Sequence, residues 1–202
     1  MKKKTIKSNK SNAGHIRIIS GQYRGRKLPV QDVTGLRPTT DRVKETVFNW
    51  LMTDVRNANV LDCFAGSGGL GFEALSRYAK NVTFLELNDS AAKQLRNNLQ
   101  TLKVNNAQLL IGDSLKLLEN LESKFDLVFV DPPFRESFAH ITCEKLEQYS
   151  LLADNALIYL EVESELSDFQ VPDSWKQIKE KTAGQVSYML YQRSVNLKNL
   201  DK

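Results

Sequence analysis

Histidine, cysteine and long hydrophobic stretches are scarce in this 202-residue sequence, and each scarcity argues against a class of protein. The two cysteines, Cys63 and Cys143, are far apart and have no partners at metal-ligand spacing, which argues against a disulfide framework or a zinc site. His15 and His140 are equally isolated. No apolar run approaches the roughly 18 residues of a membrane helix. We therefore expect a soluble, cytoplasmic protein that binds no metal. We also expect a monomer, although these features carry no signal for the oligomeric state.

Basic residues are concentrated at the N-terminus. Residues 1–44 contain 12 of the 28 Lys and Arg but only two carboxylates, a net charge of +10, whereas the remainder has 16 basic and 22 acidic residues, a net charge of −6. Such an asymmetry predicts a polyanionic partner, for which nucleic acid is the leading candidate. Residues 1–14 combine five lysines with Ser and Asn and are predicted to form a disordered basic tail. The alternative to nucleic-acid binding by this tail is that its lysines are only solvated.

Residues 15–58 are predicted to form a hairpin and a helix that together extend the main domain. Ile16 and Ile18 alternate with polar residues, and the Gly-containing turns that follow indicate a small β-hairpin. A loop rich in helix-capping residues then leads to a helix with an apolar stripe at Val43, Val47, Phe48 and Leu51. Basic side chains of this extension are suited to phosphate contacts. The predicted nucleic-acid-binding residues are Arg17, Arg24, Arg26, Lys27, Arg37 and Arg42.

Residues 59–193 alternate strand-like and helical patterns, which predicts a mainly parallel sheet with helices on both faces. The expected strands lie near 59–64, 82–87, 107–112, 125–131 and 155–162. Two further stretches, 175–181 and 185–193, flank Thr182-Ala-Gly184 and predict a hairpin at one edge. Residues 194–202 read as a polar tail.

A glycine-rich segment follows the first predicted strand of this domain. Gly66-Ser-Gly-Gly-Leu-Gly71 matches the dinucleotide-binding pattern G-x-G-x-x-G, which is a weak signal on its own. Asp62 stands just before it, and a carboxylate there would repel a pyrophosphate but attract a sulfonium or an ammonium group. This strand end therefore predicts a ligand site for a cation.

The next two strands also end in carboxylates. Glu86 lies about twenty residues further on, where a strand-end carboxylate can accept hydrogen bonds from both ribose hydroxyls of a nucleoside. Asp113, followed by Ser114, could accept from an adenine amino group or could simply cap a helix. Ligands bind at the carboxyl ends of strands in such sheets, so these side chains are predicted to share one site.

The fourth strand ends at Asp131-Pro-Pro-Phe134, an unusual sequence for a plain strand end. Pro132 and Pro133 stiffen the backbone and leave its carbonyls as free acceptors. Asp131 and those carbonyls could hold an amino group while Phe134 stacks on the ring that carries it. In a doubly wound sheet this strand lies beside the first, so Asp131 is predicted to face the glycine-rich segment.

These segments resemble a known family. Asp62-Cys-Phe-Ala-Gly-Ser-Gly68 and Asp131-Pro-Pro-Phe134 are similar to motifs I and IV of class I S-adenosylmethionine-dependent N-methyltransferases. The segments that start at Arg17, Leu36 and Ala183 extend the similarity to the ribosomal RNA small-subunit methyltransferase D family, over residues 15–193. Gly69, Phe72 and Asn88 depart slightly from the expected pattern.

The resemblance implies a Rossmann-like α/β fold, doubly wound, with seven mostly parallel strands, an antiparallel last strand and a small N-terminal hairpin. It also implies methyl transfer from S-adenosylmethionine to the N2 amine of a guanine in 16S rRNA, free or in a small-subunit assembly intermediate. The implied catalytic residues are Asp131, Pro132, Pro133 and Phe134. The implied cofactor-binding residues are Asp62, Phe64, Ala65, Gly66, Ser67, Gly68, Glu86, Leu87, Asp113, Ser114 and Asp131.

Three other interpretations stay open at this point. The glycine pattern would suit a nicotinamide-dependent oxidoreductase, although Asp62 and the 131–134 segment argue against it. The basic N-terminus alone would suit a non-catalytic RNA-binding module. A DNA methyltransferase acting on adenine N6 or cytosine N4 would share the Asp-Pro-Pro-Phe segment. This segment by itself therefore does not identify which base is methylated.

Overall fold

Local sequence signals explain where the helices and strands begin and end. The computed structural model describes residues 14–31, 40–133, 138–166 and 169–194. Thr40 caps the first helix by accepting from the Val43 N–H, and Asn88 caps another by accepting from two backbone N–H groups. The strands are β1 (His15–Arg17), β2 (Lys27–Pro29), β3 (Asn59–Asp62), β4 (Asn81–Glu86), β5 (Ala107–Ile111), β6 (Phe125–Val130), β7 (Leu152–Glu163), β8 (Trp175–Ala183) and β9 (Val186–Arg193). The α-helices are α1 (Asp41–Trp50), α2 (Gly69–Ser76), α3 (Asp89–Thr101), α4 (Ser114–Leu117) and α5 (Phe138–Gln148), with a 3₁₀ turn at Leu118–Asn120.

Seven strands form the central sheet in the order β5-β4-β3-β6-β7-β9-β8. The first five strands in this order, β5, β4, β3, β6 and β7, are parallel to one another. β9 is antiparallel to both of its neighbours, β7 and β8. The predicted fold class, the doubly wound sheet and the edge hairpin are therefore confirmed. Among the described residues, no helix is long and apolar enough to cross a membrane.

The order of the strands brings the predicted site together. β3 pairs with β6 in parallel, and Asp62 stands opposite Phe129. Phe129 lies two residues before Asp131 in the sequence. The end of the strand that precedes the glycine-rich segment therefore lies next to the Asp-Pro-Pro strand end, as the doubly wound topology predicted.

Helices cover both faces of the sheet, and each face has its own apolar core. On one face, Phe48 of α1 is fully buried and its ring lies 5.9 Å from that of Phe129. On the other face, α5 contributes to a second cluster, which contains both cysteines. Cys63 is fully buried and, as predicted, serves as a small core residue.

The N-terminal hairpin is anchored to α2. β1 and β2 pair antiparallel, which confirms the predicted hairpin. The buried carboxylate of Glu73 accepts from the Ile19 N–H at 2.8 Å, the Ser20 N–H at 3.0 Å and Arg77 Nε at 2.8 Å. Lys44, only 1% exposed on α1, donates from Nζ to the Arg17 carbonyl. The basic hairpin is therefore held rigidly against the helix that follows the glycine-rich segment.

Candidate active site

One cleft of about 1020 Å³ opens at the carboxyl ends of the parallel strands. It contains side chains from the ends of β3, β4, β5 and β6, together with residues of α1, α5, β7 and the β8–β9 hairpin. Of the residues predicted from the sequence, those lining the cleft are Asp62, Phe64, Ala65, Gly66, Ser67, Glu86, Leu87, Asp113, Ser114, Asp131, Pro132 and Pro133. Gly68 is not among the lining residues, and Phe134 lies outside the described residues.

Glycines allow α2 to begin close to β3. Gly68 precedes α2 with φ of +79°, a left-handed conformation that strains other residues. A Cβ on Gly71 would lie 2.1 Å from a ring carbon of Phe84, so only glycine lets the first turn of α2 approach the sheet. This approach brings the Gly71 N–H within 3.1 Å of Asp62 Oδ2, to which it donates.

Asp62 is a buried carboxylate in an unfavourable environment. It is 3% exposed. Burial and the negative charge of Glu86 raise the pKa of Asp62 to about 7, although the N–H groups of Gly71 and Phe64 oppose the shift. A positively charged ligand group beside Asp62 would offset the cost of the buried charge. The strand end is therefore suited to a cation, as the sequence predicted.

Glu86 is held in one orientation by backbone donors. Its Oε2 accepts from the Gly66 N–H at 2.6 Å, and its Oε1 accepts from the Asn88 N–H at 2.7 Å. The carboxylate thus joins the glycine-rich segment to the start of α3. The adjacent Leu87 is 69% exposed in the cleft and offers an apolar surface for a flat ring.

Asp113 both caps a helix and lines the cleft. Its Oδ1 accepts from the Leu115 N–H at 2.9 Å, so the capping role considered from the sequence is confirmed. One carboxylate oxygen is committed to the cap, while the residue still contributes to the cleft wall with the buried Ser114. The predicted contact with an adenine amino group stays a prediction.

The cleft wall beside Asp131 contains residues that were not predicted as site residues. Tyr159 is fully buried and does not itself line the cleft, but its hydroxyl donates to Glu161 Oε2 at 2.8 Å. Burial and the charges of Glu161 and Asp131 raise the pKa of Tyr159 well above its usual range. Glu161 itself lines the cleft, as do Val186 and Tyr188 from β9. Glu161 has a local signal, a carboxylate near the end of the predicted strand 155–162, and the pairing of β6 with β7 places it beside Asp131. No local signal marks Val186 and Tyr188, because only the pairing of β9 with β7 brings them to the cleft.

The basic residues predicted to bind RNA lie at the surface of the extension. The described members of this set, Arg17, Arg24, Arg26, Lys27 and Arg42, are all exposed. Arg37 lies outside the described residues. Within the described ranges, no group of three or more His, Cys, Asp and Glu side chains could hold a metal ion.

A mostly parallel seven-stranded sheet with an antiparallel β9, and with this cleft at its carboxyl edge, defines a class I methyltransferase. Residues 16–192 match the model of the family described as Conserved hypothetical protein 95. The ribosomal RNA small subunit methyltransferase D of Escherichia coli K12 is 52% identical over 187 residues, which cover 93% of this chain and 94% of that protein. The chain therefore belongs to the ribosomal RNA small subunit methyltransferase D family.

A second relative and a solved structure agree with this assignment. The protein of the same name from Haemophilus influenzae is 52% identical over 183 residues, covering 89% of this chain and 94% of that one. The solved structure of a proposed methyltransferase from Escherichia coli superposes with a TM-score of 0.83 at 49% identity, covering 90% of this chain and 99% of that chain.

Proposed function

We propose that this chain transfers the methyl group of S-adenosylmethionine to the exocyclic N2 amine of a guanine in 16S rRNA. The observation that carries the proposal is the position of Asp131-Pro-Pro133 beside Asp62, in one cleft. The names of the two relatives, ribosomal RNA small subunit methyltransferases, support an rRNA substrate. The resemblance of the Arg37-Pro-Thr-Thr-Asp-Arg42 segment to that family supports guanine over other bases.

The residues of the cleft fit the cofactor. S-adenosylmethionine supplies an electrophilic methyl group on a positively charged sulfur. Asp62 is a buried carboxylate that a cationic group would stabilise. Glu86, oriented by two backbone N–H groups, would accept from the ribose hydroxyls, and Leu87 would contact a face of the adenine. Asp113 would accept from the adenine amino group at the far wall of the cleft.

The Asp131-Pro132 strand end would activate the substrate amine by orienting it. A guanine N2 is a poor nucleophile because its lone pair is delocalised into the ring. Hydrogen bonds from its two N–H groups to the Asp131 carboxylate and the Pro132 carbonyl would draw the nitrogen towards tetrahedral geometry. The lone pair would then point at the methyl group, and alignment would supply most of the rate enhancement.

No strong base is needed in this mechanism. Methylation makes the nitrogen acidic, so its proton leaves after the new C–N bond has formed. Asp131 lies where it can receive that proton or pass it to solvent, since it lines an open cleft. The guanine must leave its stack to enter, which costs a few kcal/mol, and stacking on Phe134 would return roughly 1 to 3 kcal/mol.

Asp131→Ala tests the proposal. We expect methyl transfer to fall roughly 10²- to 10³-fold or more, because the amine loses the acceptor that orients it. The affinity for S-adenosylhomocysteine should be retained. The assay is transfer of labelled methyl groups to 16S rRNA and to partly assembled small-subunit particles, followed by mass spectrometry of the nucleosides.

The matched control is Asp126→Ala, which removes a carboxylate from the opposite end of the same strand. Asp126 accepts from the Asn59 N–H at 2.8 Å, far from the cleft, so this variant should retain transfer. Normal turnover by Asp131→Ala would contradict the mechanism. A methylated base other than N2-methylguanine would contradict the assigned substrate.

A further inference from the structure

The edge strand β8 carries three exposed lysines, Lys176, Lys179 and Lys181. Lys176 and Lys179 are three residues apart, a spacing that would place them on opposite faces of a regular strand. A register shift between Gln177 and Lys179 inserts one extra residue, so all three lysines point to one face. The lysines stand opposite every second residue of β9, namely Gln192, Leu190 and Tyr188, and every second residue of a strand points to the same face. We refer to the three side chains as the lysine stripe.

The lysine stripe lies on the face of the sheet that also carries α1 and the basic hairpin. Tyr188 and Leu190 belong to the same apolar cluster as Phe48 of α1 and Ile16 of β1. The ring of Trp50 lies 5.6 Å from that of Tyr188. The lysines therefore extend the positively charged N-terminal surface to the other side of α1.

The lysine stripe leads to the cleft. β8 is antiparallel to β9, which is antiparallel to β7, so β8 runs in the same direction as the parallel strands. Its last residue, Ala183, lines the cleft, and Lys181 is two residues before it on the same face. The three lysines thus span roughly 15 Å, from the start of β8 towards the cleft.

The one carboxylate of β8 points to the opposite face of the strand. Glu180 pairs with Met189, on the other side of the sheet, and accepts from Gln177 Nε2 at 2.8 Å. Within the described residues, no carboxylate forms an ion pair with Lys176, Lys179 or Lys181. Lysines also protect edge strands from pairing with other chains, but that role requires neither one shared face nor a direction towards the cleft.

We infer that the lysine stripe binds the phosphate backbone of the RNA substrate next to the methylated base. The inference rests on the proposed function and adds a second contact surface to the N-terminal hairpin. Ammonium groups on flexible stems suit phosphates, which they bind as point charges without reading sequence. RNA held by both surfaces would cross the cleft, and this would keep the target base at Asp131.

The test is a triple variant, Lys176→Glu, Lys179→Glu and Lys181→Glu, measured for binding to unmodified 16S rRNA. Glutamates keep the edge strand charged, so edge protection is retained. The matched control carries Lys80→Glu, Lys103→Glu and Lys124→Glu, three exposed lysines in the segments that precede β4, β5 and β6, at the end of the sheet opposite the cleft. Both variants change the net charge equally.

We expect the β8 variant to bind RNA at least roughly ten-fold more weakly than the control. The slope of log K against log salt should decrease by about 2, because three phosphate contacts at about 0.7 each are lost. Affinity for S-adenosylhomocysteine should be unchanged in both. Equal RNA affinity and salt slope in the two variants would overturn the inference, whereas failure of the parent protein to methylate both this RNA and partly assembled small-subunit particles would overturn the proposed function instead.

Discussion

The buried carboxylate of Asp62 imposes a stability cost that a single substitution should reveal. The pKa of Asp62 is raised from 3.8 to about 7 in the folded protein, chiefly by burial. Between pH 3.8 and about pH 7, the folded protein therefore binds more protons than the unfolded chain. Its stability falls as the pH rises through this window and levels off above it. Asp62→Asn removes the ionisation while it preserves the shape of the side chain.

The magnitude follows from linkage. With these two pKa values, ionisation of Asp62 costs the folded protein about 3 kcal/mol more at pH 8 than at pH 5. Asn is neutral at both pH values, so its own packing and hydrogen-bonding penalty cancels in the comparison. The difference in unfolding free energy between Asp62→Asn and the parent should therefore shift by about 3 kcal/mol, in favour of the variant, from pH 5 to pH 8.

Urea unfolding at both pH values, followed by circular dichroism without cofactor, measures this shift. The control is Asp54→Asn, which changes an exposed carboxylate outside the cleft. The reasoning would be refuted if the difference in unfolding free energy between the parent and Asp62→Asn were the same at pH 5 and pH 8 to within about 0.5 kcal/mol. A buried group that ionises in this range must make the stability of the parent depend on pH.

Three further variants test other parts of the protein. Glu86→Ala should weaken S-adenosylhomocysteine binding roughly a hundred-fold in calorimetry, because two charge-assisted hydrogen bonds are lost; an unchanged dissociation constant would contradict the ribose contact. Gly71→Ala should lower the free energy of unfolding by about 1 to 3 kcal/mol in urea titrations, since its Cβ would collide with the ring of Phe84, and full stability would show that α2 can shift. Reversal of Arg24 and Arg26 to Glu should reduce RNA affinity and its salt slope, and equal binding would leave the hairpin a purely structural element.

Local patterns predicted the central elements well. β4 was expected over 82–87 and is Asn81–Glu86, and β6 was expected over 125–131 and is Phe125–Val130. Apolar runs that end in glycine, proline or carboxylate mark strand ends within a few residues. The rule for doubly wound sheets then placed Asp131 beside Asp62. The prediction succeeded because both the signals and the rule depend on short segments and a common topology.

Side chains brought to the cleft by distant pairing were not predicted as site residues. Glu161 and Tyr188 stand opposite each other only through the β7–β9 register. The burial of Lys44 in a helix that reads as amphipathic depends on the hairpin, whose Arg17 carbonyl accepts a hydrogen bond from Lys44 Nζ. These outcomes depend on contacts between segments far apart in sequence.

The amino-acid sequence by itself determined the fold class, the family and the chemical groups at four strand ends, because those features are encoded in neighbouring residues. The tertiary structure decided which groups share the cleft and raised the pKa of Asp62. The raised pKa of Asp62 and the single face of the lysine stripe both have this origin: burial and strand register are properties of the assembled sheet, to which residues from the whole chain contribute.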